Sequence, residues 1–303
     1  MASGNFHGVI TPVPTIVQES GRFDQEGMGV LLDRLVRSSV NGLLILGSAG
    51  EFFQIQAAER KAIAAYSVAR VGHRIPVLIG IADCATEQVI ELGHHAAQIG
   101  ADGVVVVNPY YAPLSTERLY LHYRRIAQAV SVPVLLYNFP AMTGQDLALD
   151  LVTKLALDCP NIVGIKDTID CASHIRQFII DVKSVRPDFA VFAGFDEYIM
   201  HTLLLGGDGA IPASSNFAPE LTCGLYKAFR TGDFSQVADL TRRLGVLSAM
   251  YALDTPFFGV VKEAIRMTGS DLSGAVVAPA TVPDEETRQK LRKILVRAGV
   301  LPR

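Results

Sequence analysis

The sequence is poor in the features that mark several common classes of protein. No apolar run approaches the roughly 18 residues of a membrane-spanning helix, and Met1 to Phe6 carry no basic stretch followed by an apolar one of the kind that directs secretion. Basic clusters are missing too. Net charge is −3, with 27 Lys and Arg against 30 Asp and Glu, which argues against a nucleic-acid surface or a polybasic membrane contact. The four cysteines, Cys84, Cys159, Cys171 and Cys223, include no C-x-x-C pair; they read as buried small hydrophobes in a reducing compartment. His94, His95, His122, His174 and His201 fall in helical patterns without metal-like partner spacing, so no metal site is expected. These absences point to a soluble, cytoplasmic protein.

What is present is a large supply of apolar side chain. Half of the 303 residues are hydrophobic, enough for two ordinary domains or for one α/β barrel with an extension. Eight short apolar runs read as strands: Gly8 to Thr11, Gly42 to Leu46, Val77 to Ile81, Gly103 to Val107, Val134 to Tyr137, Ile162 to Lys166, Ala190 to Ala193 and Gly209 to Ile211. Segments of helical periodicity separate them, such as Asp24 to Ser38, Ala57 to Val71 and His174 to Ser184. Strict alternation implies parallel strands with crossover helices, and eight units match a (β/α)8 barrel better than a doubly wound sheet. After Asn216 only helical patterns follow, including Thr255 to Met267 and Pro283 to Ala298. No Pro, Ser or Gly-rich linker intervenes. The expected organisation is a barrel over residues 1–218 with a helical extension over 219–303 packed on it.

One run, Ile162-Val163-Gly164-Ile165, ends in Lys166 and Asp167. Burial without a partner disfavours the charged form of a lysine, so an amine at a strand tip inside a barrel can be neutral and able to attack a carbonyl. A lysine that snorkels out or pairs with Asp167 fits the run as well. Lys61, Lys154, Lys183, Lys227, Lys262, Lys290 and Lys293 lie in amphipathic or loop surroundings, where a solvated role is expected.

In a barrel the C-terminal strand ends carry the chemistry. Here they read Gly47-Ser48-Ala49-Gly50-Glu51 after the second strand, Asn108-Pro109-Tyr110-Tyr111 after the fourth, Tyr137-Asn138-Phe139-Pro140 after the fifth and Gly194-Phe195-Asp196-Glu197 after the seventh. The glycine-rich turn can aim backbone N–H groups and the Ser48 hydroxyl at a carboxylate, although it lacks the spacing of a P-loop or dinucleotide fingerprint. Glu51 reads as a helix-start acid. A tyrosine beside a desolvated lysine can pass protons to and from a substrate hydroxyl. Asp196 and Glu197 can accept hydrogen bonds from a polyhydroxylated substrate, and a solvated helix start explains them equally well.

The ordered motifs G-S-A-G-E (47–51), N-P-Y-Y (108–111), Y-N-F-P-A-M-T-G (137–144), G-I-K-D-T (164–168) and G-G-D-G-A-I (206–211) resemble the dihydrodipicolinate synthase and N-acetylneuraminate lyase family over nearly the whole chain. The resemblance implies a TIM barrel with C-terminal helices, usually a homotetramer, acting on pyruvate or another 2-oxo acid without metal or organic cofactor. Carried over by position, Lys166 would form a Schiff base with the 2-oxo carbon and Tyr137 would be the general acid and base. Ser48, with the backbone N–H of Ala49, would hold the carboxylate, and Tyr111 would complete a proton relay from a neighbouring subunit. Thr168, Asp196 and Glu197 match positions that contact sugar hydroxyls, and Gly194 and Ile211 join the expected substrate wall.

Departures narrow the implied substrate. Met142 stands where true dihydrodipicolinate synthases place a carboxylate-binding arginine, and Ala49 lacks the second hydroxyl of the usual turn. Ala213 replaces a polar residue of sialic-acid lyases. The combination most resembles the bacterial 2-keto-3-deoxy-sugar-acid aldolases, which cleave gluconate, galactonate or pentonate types to pyruvate and a short hydroxyaldehyde. Three other readings stay open: a 2-keto-3-deoxy-acid dehydratase using the same lysine, a dihydrodipicolinate synthase or N-acetylneuraminate lyase, and a non-catalytic barrel that binds a 2-oxo acid.

Overall fold

The computed structural model describes residues 6–302. Eight parallel strands close into a barrel in sequence order: β1 (Gly8–Pro12), β2 (Gly42–Ile45), β3 (Val77–Gly80), β4 (Gly103–Val107), β5 (Val134–Asn138), β6 (Ile162–Asp167), β7 (Ala190–Ala193) and β8 (Gly209–Ala210). Each ends within one residue of its expected bound. The strands are short and buried on both sides, which is why they read as continuous apolar runs. Around them lie α1 (Gln25–Arg37), α2 (Ala57–Val71), α3 (Thr86–Gln98), α4 (Thr116–Ala129), α5 (Pro140–Thr143), α6 (Leu149–Asp158), α7 (Ala172–Gln177), α8 (Lys183–Val185) and α9 (Ile199–Leu204). A π-helical stretch, Phe178–Val182, joins α7 to α8, where the periodicity alone had suggested an unbroken α-helix.

After β8 the chain forms α10 (Pro219–Thr231), α11 (Phe234–Leu247), α12 (Phe258–Met267) and α13 (Glu285–Arg297). Local chemistry sets their ends. Pro219 opens α10 where its missing N–H has no intrahelical use, and the Asp284 side chain accepts from the Thr287 N–H at 2.8 Å to start α13. Helix α12 begins at Phe258 and not at Thr255, because Thr255 precedes Pro256 and that position disfavours helical backbone.

Two expectations about side chains fail. Cys84 is exposed and Cys171 only partly covered; Cys159 and Cys223 alone are buried. Lys262, expected on the surface, is 1 % exposed and pairs at 2.5 Å with Glu51, which is fully buried. Glu51 does stand at the start of a short 3₁₀ turn, Phe52–Gln54, but its carboxylate does not cap that turn and pairs with Lys262 instead. Its second carboxylate oxygen accepts from the Val277 N–H at 2.7 Å, and the Lys262 ammonium donates to the Ala275 carbonyl at 2.7 Å. Burial pulls the Lys262 pKa down and the Glu51 charge opposes that pull. The helical spacing of α12 conceals this, since amphipathic periodicity says which face is inward but not that a charge sits on it.

The pair ties the turn after β2 to α12 and to the segment that follows it. Replacing Lys262 by Met leaves an uncompensated buried carboxylate and is expected to cost about 3–5 kcal/mol of stability. The double variant Glu51→Gln with Lys262→Met should recover most of that loss in denaturant unfolding. A single variant as stable as the parent would show that the pair holds nothing together.

Candidate active site

A cavity of 190 Å³ opens at the C-terminal ends of the strands, lined by Ser48, Ala49, Tyr137, Lys166, Thr168 and Tyr251 among others. Gly194, Ile211 and Phe257 also reach it. The position is the one that a barrel reserves for chemistry.

Lys166 and Tyr137 sit side by side because of one irregularity between β5 and β6. Pairing starts as Val134 opposite Ile162, then slips by one residue at Val163, so that Tyr137 faces Lys166 and Asn138 faces Asp167. Without that bulge Tyr137 would face Ile165. A one-residue slip exchanges the inward and outward faces of a strand. Lys166 is 5 % exposed, and its ammonium nitrogen lies 4.1 Å from the centre of the Tyr137 ring. The Ser48 hydroxyl is 3.4 Å from the Tyr137 phenol oxygen, which joins the glycine-rich turn to the lysine and tyrosine pair.

Lys166 does not pair with Asp167, whose side chain points to the other side of the strand. There, four side chains close a ring. Asn138 Nδ2 donates to Asp146 Oδ1 at 2.7 Å and to Asp167 Oδ1 at 2.8 Å. The two ring nitrogens of His174 meet Asp167 Oδ2 at 2.9 Å and Asp146 Oδ2 at 3.1 Å. Burial works against a charged imidazole, but the two carboxylates outweigh it and hold the His174 pKa up to about 10. His174 and Asp146 carry no motif of their own in the sequence. The single hint is that Asn138 and Asp167 directly follow Tyr137 and Lys166.

The Ser48 turn is a 3₁₀ segment, Ser48–Gly50, bracketed by Leu46 and Glu51 at φ 59° and 56°. Left-handed backbone costs a non-glycine residue roughly 1–2 kcal/mol, and such residues persist where the surroundings over-determine them. Leu46 leaves the β2 ladder for this reason. The N–H groups of Ser48 and Ala49 open the turn, where a helix start leaves donors free for an anion.

The remaining sequence candidates divide. Thr168 lines the cavity with a buried hydroxyl that has no partner among the described residues. Gly194 lets it fit, since a side-chain carbon on Gly194 would come within 1.8 Å of the Thr168 Oγ1. Asp196 and Glu197 are not brought into the lining. Asp196 is 2 % exposed and accepts hydrogen bonds from the Ser214 hydroxyl and, at 2.6 Å, from the Tyr251 phenol. Burial raises its pKa to about 6 against the pull of those two donors. Glu197 accepts from the Ser248 hydroxyl at 2.7 Å. These acids hold the cavity wall, Tyr251 above all, which sequence reasoning did not single out. Tyr111 stands outside the cavity, 91 % exposed.

Comparison with known proteins finds relatives over nearly the whole chain. The sequence profile of the dihydrodipicolinate synthetase family matches residues 5–298. The chain belongs to that family. Among curated relatives, Escherichia coli K12 YjhH, named as a probable 2-dehydro-3-deoxy-D-pentonate aldolase, is 45% identical over 98% of this chain and 99% of its own. YagE of the same strain, named with the same reserve as a 2-dehydro-3-deoxy-D-gluconate aldolase, is 47% identical over 97% of each chain. The crystal structure of YagE in complex with pyruvate superposes with a TM-score of 0.96 over 98% of this chain and 99% of that one. A dihydrodipicolinate synthase from Thermotoga maritima, 30% identical, gives 0.92 over 98% and 99%.

The ring around His174 makes a pH-dependent prediction. Its folded pKa lies above the roughly 6.5 of a free imidazole, so its stabilisation is complete below that value and is lost as pH rises through about 10. His174→Gln is expected to cost about 1.5–3 kcal/mol at pH 6 and well under half of that at pH 10.5. Thermal unfolding of both proteins across that range checks it; a constant gap would mean that the imidazole is held uncharged.

Proposed function

We propose that the protein is a class I pyruvate aldolase that reversibly cleaves a 2-keto-3-deoxy sugar acid, of gluconate, galactonate or pentonate type, to pyruvate and glyceraldehyde or glycolaldehyde. One observation carries the reading: a buried lysine over the ring of Tyr137 in the strand-end cavity, with the Ser48 hydroxyl 3.4 Å from the phenol oxygen of that tyrosine. The names of YjhH and YagE, and the pyruvate complex of YagE, support it.

In this reading Lys166 attacks the 2-oxo carbon, water leaves, and a protonated imine forms. Ser48 and the Ala49 N–H hold the carboxylate. Tyr137 removes the C4 hydroxyl proton, the C3–C4 bond breaks, and its electron pair passes into the imine to give an enamine. The aldehyde departs, C3 takes a proton, and water releases pyruvate and restores the amine. Thr168 offers its unpaired hydroxyl to the sugar chain. Tyr111 reaches the site of a neighbouring subunit in a homotetramer, a dimer of dimers, where its exposure in the single chain would be removed.

Borohydride reduction in the presence of pyruvate, followed by peptide mapping, is expected to place a pyruvate-derived adduct on Lys166, and Lys166→Ala should abolish both adduct and turnover. Substantial residual activity in that variant would sink the mechanism. Tyr137→Phe should still trap pyruvate while losing about 10²–10⁴ in kcat, the usual worth of a general acid and base. Product analysis separates the runner-up, since a dehydratase would yield a 2-oxo acid of undiminished carbon count.

A further inference from the structure

The turn that carries Ser48 is held mostly from outside itself. Within it, the Gly50 and Glu51 N–H groups donate to the carbonyls of Gly47 and Ser48, at 2.9 and 3.0 Å. Neither bond uses the N–H groups of Ser48 or Ala49, the donors that the start of such a turn offers to an anion. On the barrel side the fully buried Thr15 hydroxyl donates to the Gly50 carbonyl at 2.7 Å. On the other side the hold runs through Glu51.

Glu51 ends the turn at φ 56°, a conformation that a non-glycine residue leaves when nothing opposes it. What opposes it is a carboxylate with both oxygens fixed on the C-terminal segments, one against the Lys262 ammonium at 2.5 Å and the other on the Val277 N–H at 2.7 Å. The Lys262 ammonium is itself fixed by the Ala275 carbonyl at 2.7 Å. Apolar residues of similar volume often give as much stability as a buried ion pair. The pair adds direction instead. Turning the Glu51 backbone out of the left-handed region would carry its carboxylate off both partners and leave it and the Val277 N–H buried and unmatched, which is costly.

We propose that Lys262 and Glu51 are positioning residues: through the turn they set how tightly the site holds the carboxylate of a 2-oxo acid, and so act on substrate affinity more than on the chemical step. This rests on the Schiff-base reading above, in which Ser48 and the Ala49 N–H hold that carboxylate. Neither Lys262 nor Glu51 lines the lysine cavity, so their effect on binding passes through the turn. Lys166 and Tyr137 stand on β6 and β5, whose mutual register the pair does not touch.

The test is borohydride trapping across a range of pyruvate concentrations, read by intact mass, on the parent and on Glu51→Gln with Lys262→Met. In the double variant the half-saturating pyruvate concentration is expected to rise about tenfold, as for one lost hydrogen bond to a charged group, while the maximal adduct changes less than about threefold. The milder Glu51→Asp keeps the opposite charges but shortens the reach, and should raise half-saturation in the same direction. Arg34→Met is the control, since Arg34 holds the same C-terminal segment at Thr268 and Ser270 without reaching the turn; it should saturate at the parent's concentration. A merely structural pair would lower the maximal adduct and leave half-saturation unmoved, and that result overturns the inference, as does an equal rise in Arg34→Met. Parent protein that traps no pyruvate overturns the Schiff-base reading itself, and this inference with it.

Discussion

The site depends on the register between β5 and β6. A bulge at Val163 shifts the pairing by one residue, and that shift sets Lys166 opposite Tyr137. Register in a parallel pair is weakly fixed by an apolar pattern when both faces of the strand are buried, because a slip then exchanges one apolar face for another. Something beyond hydrophobic burial has to hold it. The ring of Asn138, Asp146, Asp167 and His174 does so from the outer face, one residue beyond Lys166 and Tyr137, through four hydrogen bonds that a slipped pairing would break. Gly164 contributes on the other flank. A side-chain carbon there would come within 2.4 Å of the Ala190 carbonyl oxygen, so β7 can close on β6 only against a glycine.

The turn carrying Ser48 poses the complementary problem. Two non-glycine residues in left-handed backbone aim its hydroxyl at the Tyr137 phenol, and that geometry is not one the chain would choose alone. Glu51, one of the two, is clamped by Lys262 from α12 and by the Val277 N–H. The segments after β8 are therefore part of the site. They fix the turn, and they supply Tyr251 and Phe257 to the cavity wall. A barrel without them would keep Lys166 and Tyr137 but lose the shape around them.

The eight-strand barrel was legible in the sequence because each strand is a short apolar run and each helix has its own period. Lys166 was legible for the opposite reason, as a charge where the pattern called for none. The strand-end rule led to Ser48 and Tyr137, and the family resemblance to Thr168. Strand-end position leaves Asp196 and Glu197 open between substrate contact and a solvated helix start; their carboxylates turn instead to Ser214, Tyr251 and Ser248, residues too distant in sequence for any local pattern to reveal. Lys262 was missed on similar grounds, since its partner lies on the far side of the chain. His174 looked like an ordinary helical histidine, and only the fold brings Asp146 and Asp167 to its two nitrogens. Long-range pairing of polar groups is the information that periodicity does not contain.

Charge around Lys166 follows a consistent plan. Among the described residues no carboxylate is hydrogen-bonded to Lys166. Asp167 faces away and is satisfied by Asn138 and His174, and Asp196 is held by two hydroxyls behind the wall. What remains beside the lysine is the Tyr137 ring, whose π face eases a cation by roughly 0.5–2 kcal/mol without fixing it in an ion pair. In the proposed reaction the negative charge that completes the site is then the carboxylate of the substrate. An amine already paired with an acid would have to break that pair before attacking a carbonyl. One that waits for the carboxylate of a 2-oxo acid gains its counter-charge at the moment the carbonyl arrives, so binding and reaction are served by the same interaction.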